Sequence, residues 1–246
     1  MRGQREQSNY PPEWIQARAD EIEMRRQSLS EQIAAAAERA GRDATAVEVV
    51  AVTKTHGVEL MRAAWAAGLR RFGENRVQEA LGKMDELGEL PARWHLIGHL
   101  QRNKVKHALG RFELIHSVDS VRLIEELERR AAEAEQHQRI LLQLNVSGEA
   151  SKFGAPPEQL EALLEALEGC EHVHGEGLMT IPPLGRDAEW ARPYFIRLRE
   201  LLGSIEARRG FTPRHLSMGM SGDFVVAVEE GATLVRIGTA LLGARP

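Results

Sequence analysis

The chain has 246 residues, 43% hydrophobic and 28% charged, with 32 Lys and Arg against 36 Asp and Glu for a formal net charge of -4. That is enough apolar material for a globular core, and the acidic balance offers no general attraction to nucleic acid. No window approaches the roughly 18 apolar residues of a membrane span, the N-terminus lacks the apolar stretch of a signal peptide, and the single Cys170 excludes an internal disulfide.

A cytoplasmic protein with no nucleic-acid or membrane partner is therefore the expectation. Residues 1–11 read as a flexible tail, and 12–246 as one domain. From Pro12 to Gly41, Ile15, Ile22, Leu29 and Ile33 recur at helical spacing and a glycine ends the run. Strand-like runs follow at VEVVAVT (47–53), RRFGE (70–74), RWHLIG (93–98), ELIHSV (113–118), ILLQLNV (140–146), HVHGEGLMT (172–180), RHLSMG (214–219) and TLVRIG (233–238). The segments between them read as helices. Leu160, Leu163, Leu164 and Leu167 form one apolar stripe, and Val121, Ile124, Leu127 and Ala131 form another, which Asp119 or Ser120 can cap. Eight strands separated by helices match a single (β/α)8 TIM barrel with an N-terminal helix. A doubly wound open sheet is the alternative, because periodicity does not show whether the last strand closes on the first.

In such a barrel the active face lies at the C-terminal ends of the strands, and the loops after strands seven and eight tend to hold phosphate. LSMGMSGD (216–223) and RIGTALLG (236–243) occupy those places, with Ser221, Gly238 and Thr239 ahead of helix starts whose free amides favour an anion. Ser221 and Thr239 can equally be plain N-caps. Lys54 ends the first strand and faces the same mouth. A strand-end lysine is usually a surface residue, but one partly desolvated near other cations can condense with an aldehyde as a Schiff base. Opposite a phosphate site it suits a phosphorylated aldehyde, of which pyridoxal phosphate is the commonest in proteins. Arg236, two residues before Gly238, can only donate hydrogen bonds. Beside a pyridine nitrogen it would keep that nitrogen unprotonated and weaken the ring as an electron sink.

The motifs VAVTKTH, FGENRVQEA, WHLIGHLQRNKVK, LNVSGEASKFG, GLMTIPP, LSMGMSGDF and VRIGTALLGAR, spread over 46–245, resemble those of the pyridoxal-phosphate homeostasis protein family. Members of that family look like the fold-type III barrel of alanine racemase standing alone. The resemblance implies pyridoxal 5'-phosphate bound covalently to Lys54, with Arg236 facing the pyridine nitrogen. It further implies Ser221, Gly238 and Thr239 at the phosphate, and Asn75, Ser217 and Met220 lining the pocket with His95 nearby. Arg76 stands where the family often has an aromatic residue, and Gly222 and Phe224 also depart from its commoner choices. The implied role is keeping the cofactor, or delivering it to apoenzymes, rather than catalysis. A small amino-acid racemase is the alternative, and a sugar-phosphate aldolase a third. The racemases carry a second domain that shapes the substrate site, supplies a tyrosine and mediates dimerisation. Here the chain stops at Pro246, and Tyr10 and Tyr194 lie in the tail and in a helix, so a monomeric carrier is expected.

Other features carry blander expectations. His172 with His174, and His95 with His99, lack a third ligand at metal spacing and read as hydrogen-bonding residues. Arg102, Lys104, Lys106 and Arg111 read as a solvated helix face, with a docking patch as the sharper alternative. Cys170 reads as a small filler at a helix end.

Overall fold

The computed structural model describes residues 10–88, 90–149, 151–183 and 185–244. Most of the tail expected over residues 1–11 lies outside them. Helix α1 (Pro12–Arg39) starts on the proline, whose missing N–H costs nothing at a helix start. It buries Ala19, Ile22, Leu29, Ile33, Ala36 and Ala37.

Eight parallel strands follow: β1 (Glu48–Val52), β2 (Arg71–Glu74), β3 (Arg93–Leu96), β4 (Leu114–Val118), β5 (Gln138–Gln143), β6 (Val173–Met179), β7 (Phe211–Ser217) and β8 (Leu234–Ile237). Each pairs with its sequence neighbour, and β1 also pairs with β8, Val50 opposite Arg236 and Ala51 opposite Ile237. The sheet is a closed barrel, as the strand count predicts, and not an open doubly wound sheet.

The crossovers are α2 (Val58–Ala66), α3 (Val77–Leu87), α4 (Val105–Ala108), α5 (Val121–Glu133), α6 (Leu160–Glu168), α7 (Arg192–Gly203) and α8 (Phe224–Glu229), with α9 (Thr239–Leu242) after the last strand. Strand alternation divides the core in two. Val50, Leu114, Leu141, Met179 and Leu234 fill the barrel interior, whereas Ala51, Phe72, Ile115 and Val235 join the larger layer beneath the helices.

One crossover is barely helical. Between β3 and β4 there is only a 3-10 turn (Arg102–Lys104) and the four residues of α4. Ser120 occupies the N-cap of α5 but its side chain caps nothing. Among the described residues no helix is long and apolar enough to cross a membrane.

Candidate functional site

Inward positions alternate along β1, so Val50 packs in the barrel, Val52 lines the mouth, and residue 54 is the next to face in. Lys54 lines a mouth cavity of ≈ 350 Å³. Asn75, Met220, Ser221, Arg236, Gly238 and Thr239 share that cavity. Gly98 keeps the ends of β2 and β3 close enough to aim Asn75, since a Cβ there would sit 2.3 Å from the Asn75 carbonyl oxygen.

The anion-suited corner differs from the capping expected of it. Asp223 and Gly238 occupy the N-caps of α8 and α9, so neither Ser221 nor Thr239 is an N-cap. The Ser221 hydroxyl reaches across to accept from the Gly238 and Ala240 amides, each at 3.3 Å. Two amides thus converge on a single oxygen beside the end of β1, where a Cβ on Gly238 would lie 3.6 Å from Val52. With six and four residues, α8 and α9 supply directed N–H groups more than a macrodipole.

Arg236 is 3% exposed. Its guanidinium donates to Ser217 Oγ at 2.7 Å and to the Thr180 carbonyl at 2.8 Å, and among the described residues it has no ion pair. Burial lowers its pKa to about 10, opposed by the charge of Asp223, so it is cationic at neutral pH. A guanidinium has five N–H groups, and those left over suit an acceptor brought in from the cavity. Ser217 does not line the cavity. It lies beneath Arg236, completely buried, where β7 is in register with Leu234.

Below Arg236 runs a chain of hydrogen bonds. Arginine only donates, so Ser217 Oγ accepts from it, and Ser217 Oγ is also hydrogen-bonded to His116 Nδ1, 2.8 Å away. Burial, then the neighbouring charges of His95 and Arg236, holds His116 well below its ordinary pKa. His116 Nε2 is in turn hydrogen-bonded to His95 Nδ1 at 2.8 Å. His95 is pushed down to about 3 chiefly by burial and then by Arg71 and Arg139, and its Nε2 is a buried atom without a partner among the described residues. His95 therefore lies inside the barrel below the pocket. Nothing in its strand motif distinguishes it from His116, which sequence reasoning passed over.

Three further residues line the cavity: His99 and Phe153 from loops, and Gln143 from the end of β5. Phe153 stacks on His99, ring centroids 4.5 Å apart, and His99 Nδ1 lies 3.7 Å from Asp119. Gln143 donates to the Phe153 carbonyl at 3.1 Å and fixes that loop from below. Elsewhere, His172 pairs with Glu128 and His174 with Thr212. Arg76, Arg102 and Lys106 are exposed. Cys170 is buried against α6, its thiol pushed up to about 12, mainly by burial.

A phosphorylated pyridine aldehyde fits this donor set. A primary amine lines the mouth cavity, two amides converge on Ser221 in the loops beside it, and Arg236, a buried cation without an ion pair among the described residues, borders it from the barrel interior.

The alanine racemase N-terminal domain family matches residues 24–246. The pyridoxal phosphate homeostasis protein of Aquifex aeolicus (strain VF5) is 46% identical over 215 residues, 87% of this chain and 94% of that protein. Its counterpart in Escherichia coli (strain K12) is 36% identical over 223 residues, 88% of this chain and 94% of the other. Among solved structures, PipY of Synechococcus elongatus PCC7942 with PLP bound superposes with a TM-score of 0.78 at 40% identity, covering 90% of this chain and all of that one. Alanine racemase from Bartonella henselae, at 18% identity and a TM-score of 0.68 over 93% of this chain and 61% of its own, shares the fold alone. On sequence and fold together, the chain belongs to the pyridoxal phosphate homeostasis protein family and carries the barrel of the alanine racemase N-terminal domain.

Proposed function

We propose that this chain binds pyridoxal phosphate in the barrel mouth as a Schiff base on Lys54, and that it keeps and delivers the cofactor rather than turning over a substrate. One observation carries most of the weight. Lys54, the amides gathered at Ser221 and the buried Arg236 share a single cavity. The bound group supplies an aldehyde: the Lys54 amine adds to its carbon, a C=N bond forms, and the oxygen leaves as water with both amine hydrogens.

The protein's own residues do the remaining work. Ser221, Gly238 and Thr239 hold the phosphate, and Asn75 and Met220 border the ring. Ser217 contributes through Arg236, whose position it fixes. Arg236 donates toward the pyridine nitrogen and keeps it unprotonated, which suppresses carbanion chemistry. Phe153 and His99 shelter the mouth. Tyr194 lies on α7, away from the cavity, and no tyrosine lines it among the described residues. That favours a carrier over a racemase of the alanine racemase type. The setting is cytoplasmic, the protein a monomer, and the recipients are apoenzymes that use pyridoxal phosphate.

Titration of the purified protein with pyridoxal phosphate tests this. The wild type develops the absorbance band of a protein-bound Schiff base, and Lys54→Ala does not. Equal bands in both proteins refute the attachment, and measurable racemisation of alanine or another amino acid refutes the carrier role.

A further inference from the structure

Behind the end of β1, on the side away from the cavity, three charged groups meet, Lys83 and Glu74 buried and Glu79 half-buried. Lys83 on α3 is 8% exposed and its ammonium makes three hydrogen bonds. It donates to the Thr53 carbonyl at 2.8 Å, to Glu74 Oε1 at 2.7 Å and to Glu79 Oε1 at 2.7 Å. Glu74 Oε1 also accepts from the Thr53 hydroxyl at 2.6 Å, and Glu79 Oε1 from the Thr55 amide at 2.7 Å. The peptide groups on either side of the residue 54 Cα are thus both gripped from α3. Lys83 holds the carbonyl before Lys54, Glu79 holds the N–H after it, and the two grips are salt-bridged to each other.

Burial works to raise Glu79, but the hydrogen bonds from Lys83 and the Thr55 amide outweigh it and hold the carboxyl below its ordinary value. Thr55 is held at φ 67°, a left-handed conformation that a β-branched residue adopts only when its surroundings impose it. A buried ion pair is a poor device for stability alone, because its desolvation offsets most of its attraction. Here its geometry fixes the backbone of one residue.

We infer that Glu79 and Lys83 are positioning residues for Lys54, a clamp across α3 that presents its amine to an incoming aldehyde in a condensation-ready orientation. The clamp rests on the attachment proposed above and specifies what prepares it.

The test is the rate of Schiff-base formation after rapid mixing with pyridoxal phosphate, in wild type, Glu79→Ala, Lys83→Met and Glu79→Gln. Exchange of the Thr55 amide hydrogen in cofactor-free protein is measured alongside. Glu79→Ala and Lys83→Met are expected to slow condensation roughly tenfold, a typical cost of lost orientation. Glu79→Ala should also unprotect the Thr55 amide. Glu79→Gln, which keeps an acceptor for that amide, should stay within about threefold of wild type. A wild-type rate in Glu79→Ala, or equal losses in Glu79→Ala and Glu79→Gln, overturns the clamp. So does an unprotected Thr55 amide in the wild type.

Thr55→Gly guards against variants that fail to fold. It relieves the left-handed strain, so the melting temperature should rise while condensation slows. A higher melting temperature with an unchanged rate also overturns the clamp. If the wild type itself forms no Schiff base, the attachment fails rather than the clamp.

Discussion

At the scale of single residues, polar groups inside the barrel are arranged around one cation. Arg236 is held by Ser217, Ser217 by His116, and His116 by His95, so the interior carries two imidazoles that must stay neutral. Their pKa values are depressed in the folded state, to about 3 for His95. Below the unfolded value of about 6.5, the unfolded chain takes up protons that the barrel refuses. Their stabilising effect is therefore complete above that pH and is lost as pH falls toward about 3, by up to about 1.4 kcal/mol per pH unit for each histidine. Urea unfolding at pH 7, 6 and 5 should show this, with a shallower decline in His95→Gln; identical pH slopes would refute the neutral pair. Lys54 was legible because residues 50, 52 and 54 alternate toward the barrel axis and a lysine ends an apolar run. Ser217 was legible only by likeness, and its true place under Arg236 follows from the β7–β8 register, which a motif does not contain. His99 and Phe153 give no sequence signal because they reach the mouth through irregular loops, and Gln143, at the end of β5, is one polar residue in a strand run that does not mark it.

At the scale of elements, most of the eight strands are legible as short β-branched or apolar runs bounded by polar turns, whereas β2 (Arg71–Glu74) and β7 (Phe211–Ser217) are of mixed composition. The crossovers are helical as the alternation predicts, except that the one between β3 and β4 is nearly all turn. The segment QRNKVKHALG offers few apolar residues to pack, so only Val105–Ala108 becomes helical before Gly110 turns at φ 67°. The loops after β7 and β8 read as anion-suited, with plain capping within each loop as the alternative, whereas in the structure Ser221 bonds across to the amides of the next loop. That cross-loop bond yields a prediction. Ser221→Ala should weaken binding of pyridoxal phosphate by roughly tenfold, the value of one or two lost or misdirected hydrogen bonds, and leave binding of phosphate-free pyridoxal nearly unchanged. Equilibrium titrations with both compounds decide it, and equal losses would show that the loop does not serve the phosphate.

Over the whole molecule, closure is what brings the chemistry together. Lys54 follows the first strand and Arg236 lies on the last, and they share one cavity because β1 and β8 pair through Val50 and Arg236. No local pattern specifies that pairing, which is why the sequence alone leaves an open sheet as an alternative. Helix α1 packs over the junction, with Arg39 of α1 bonded to Glu229 of α8 and Arg42, just beyond α1, to the carbonyls of Val228 and Ala232. The cavity thus depends on the first and last strands being drawn together. The most direct test is to saturate the protein with pyridoxal phosphate, reduce with borohydride, and locate the adduct by peptide mass spectrometry. One adduct per chain, on the peptide containing Lys54, is the expected result. A principal adduct on any other lysine, or none at all, would contradict it.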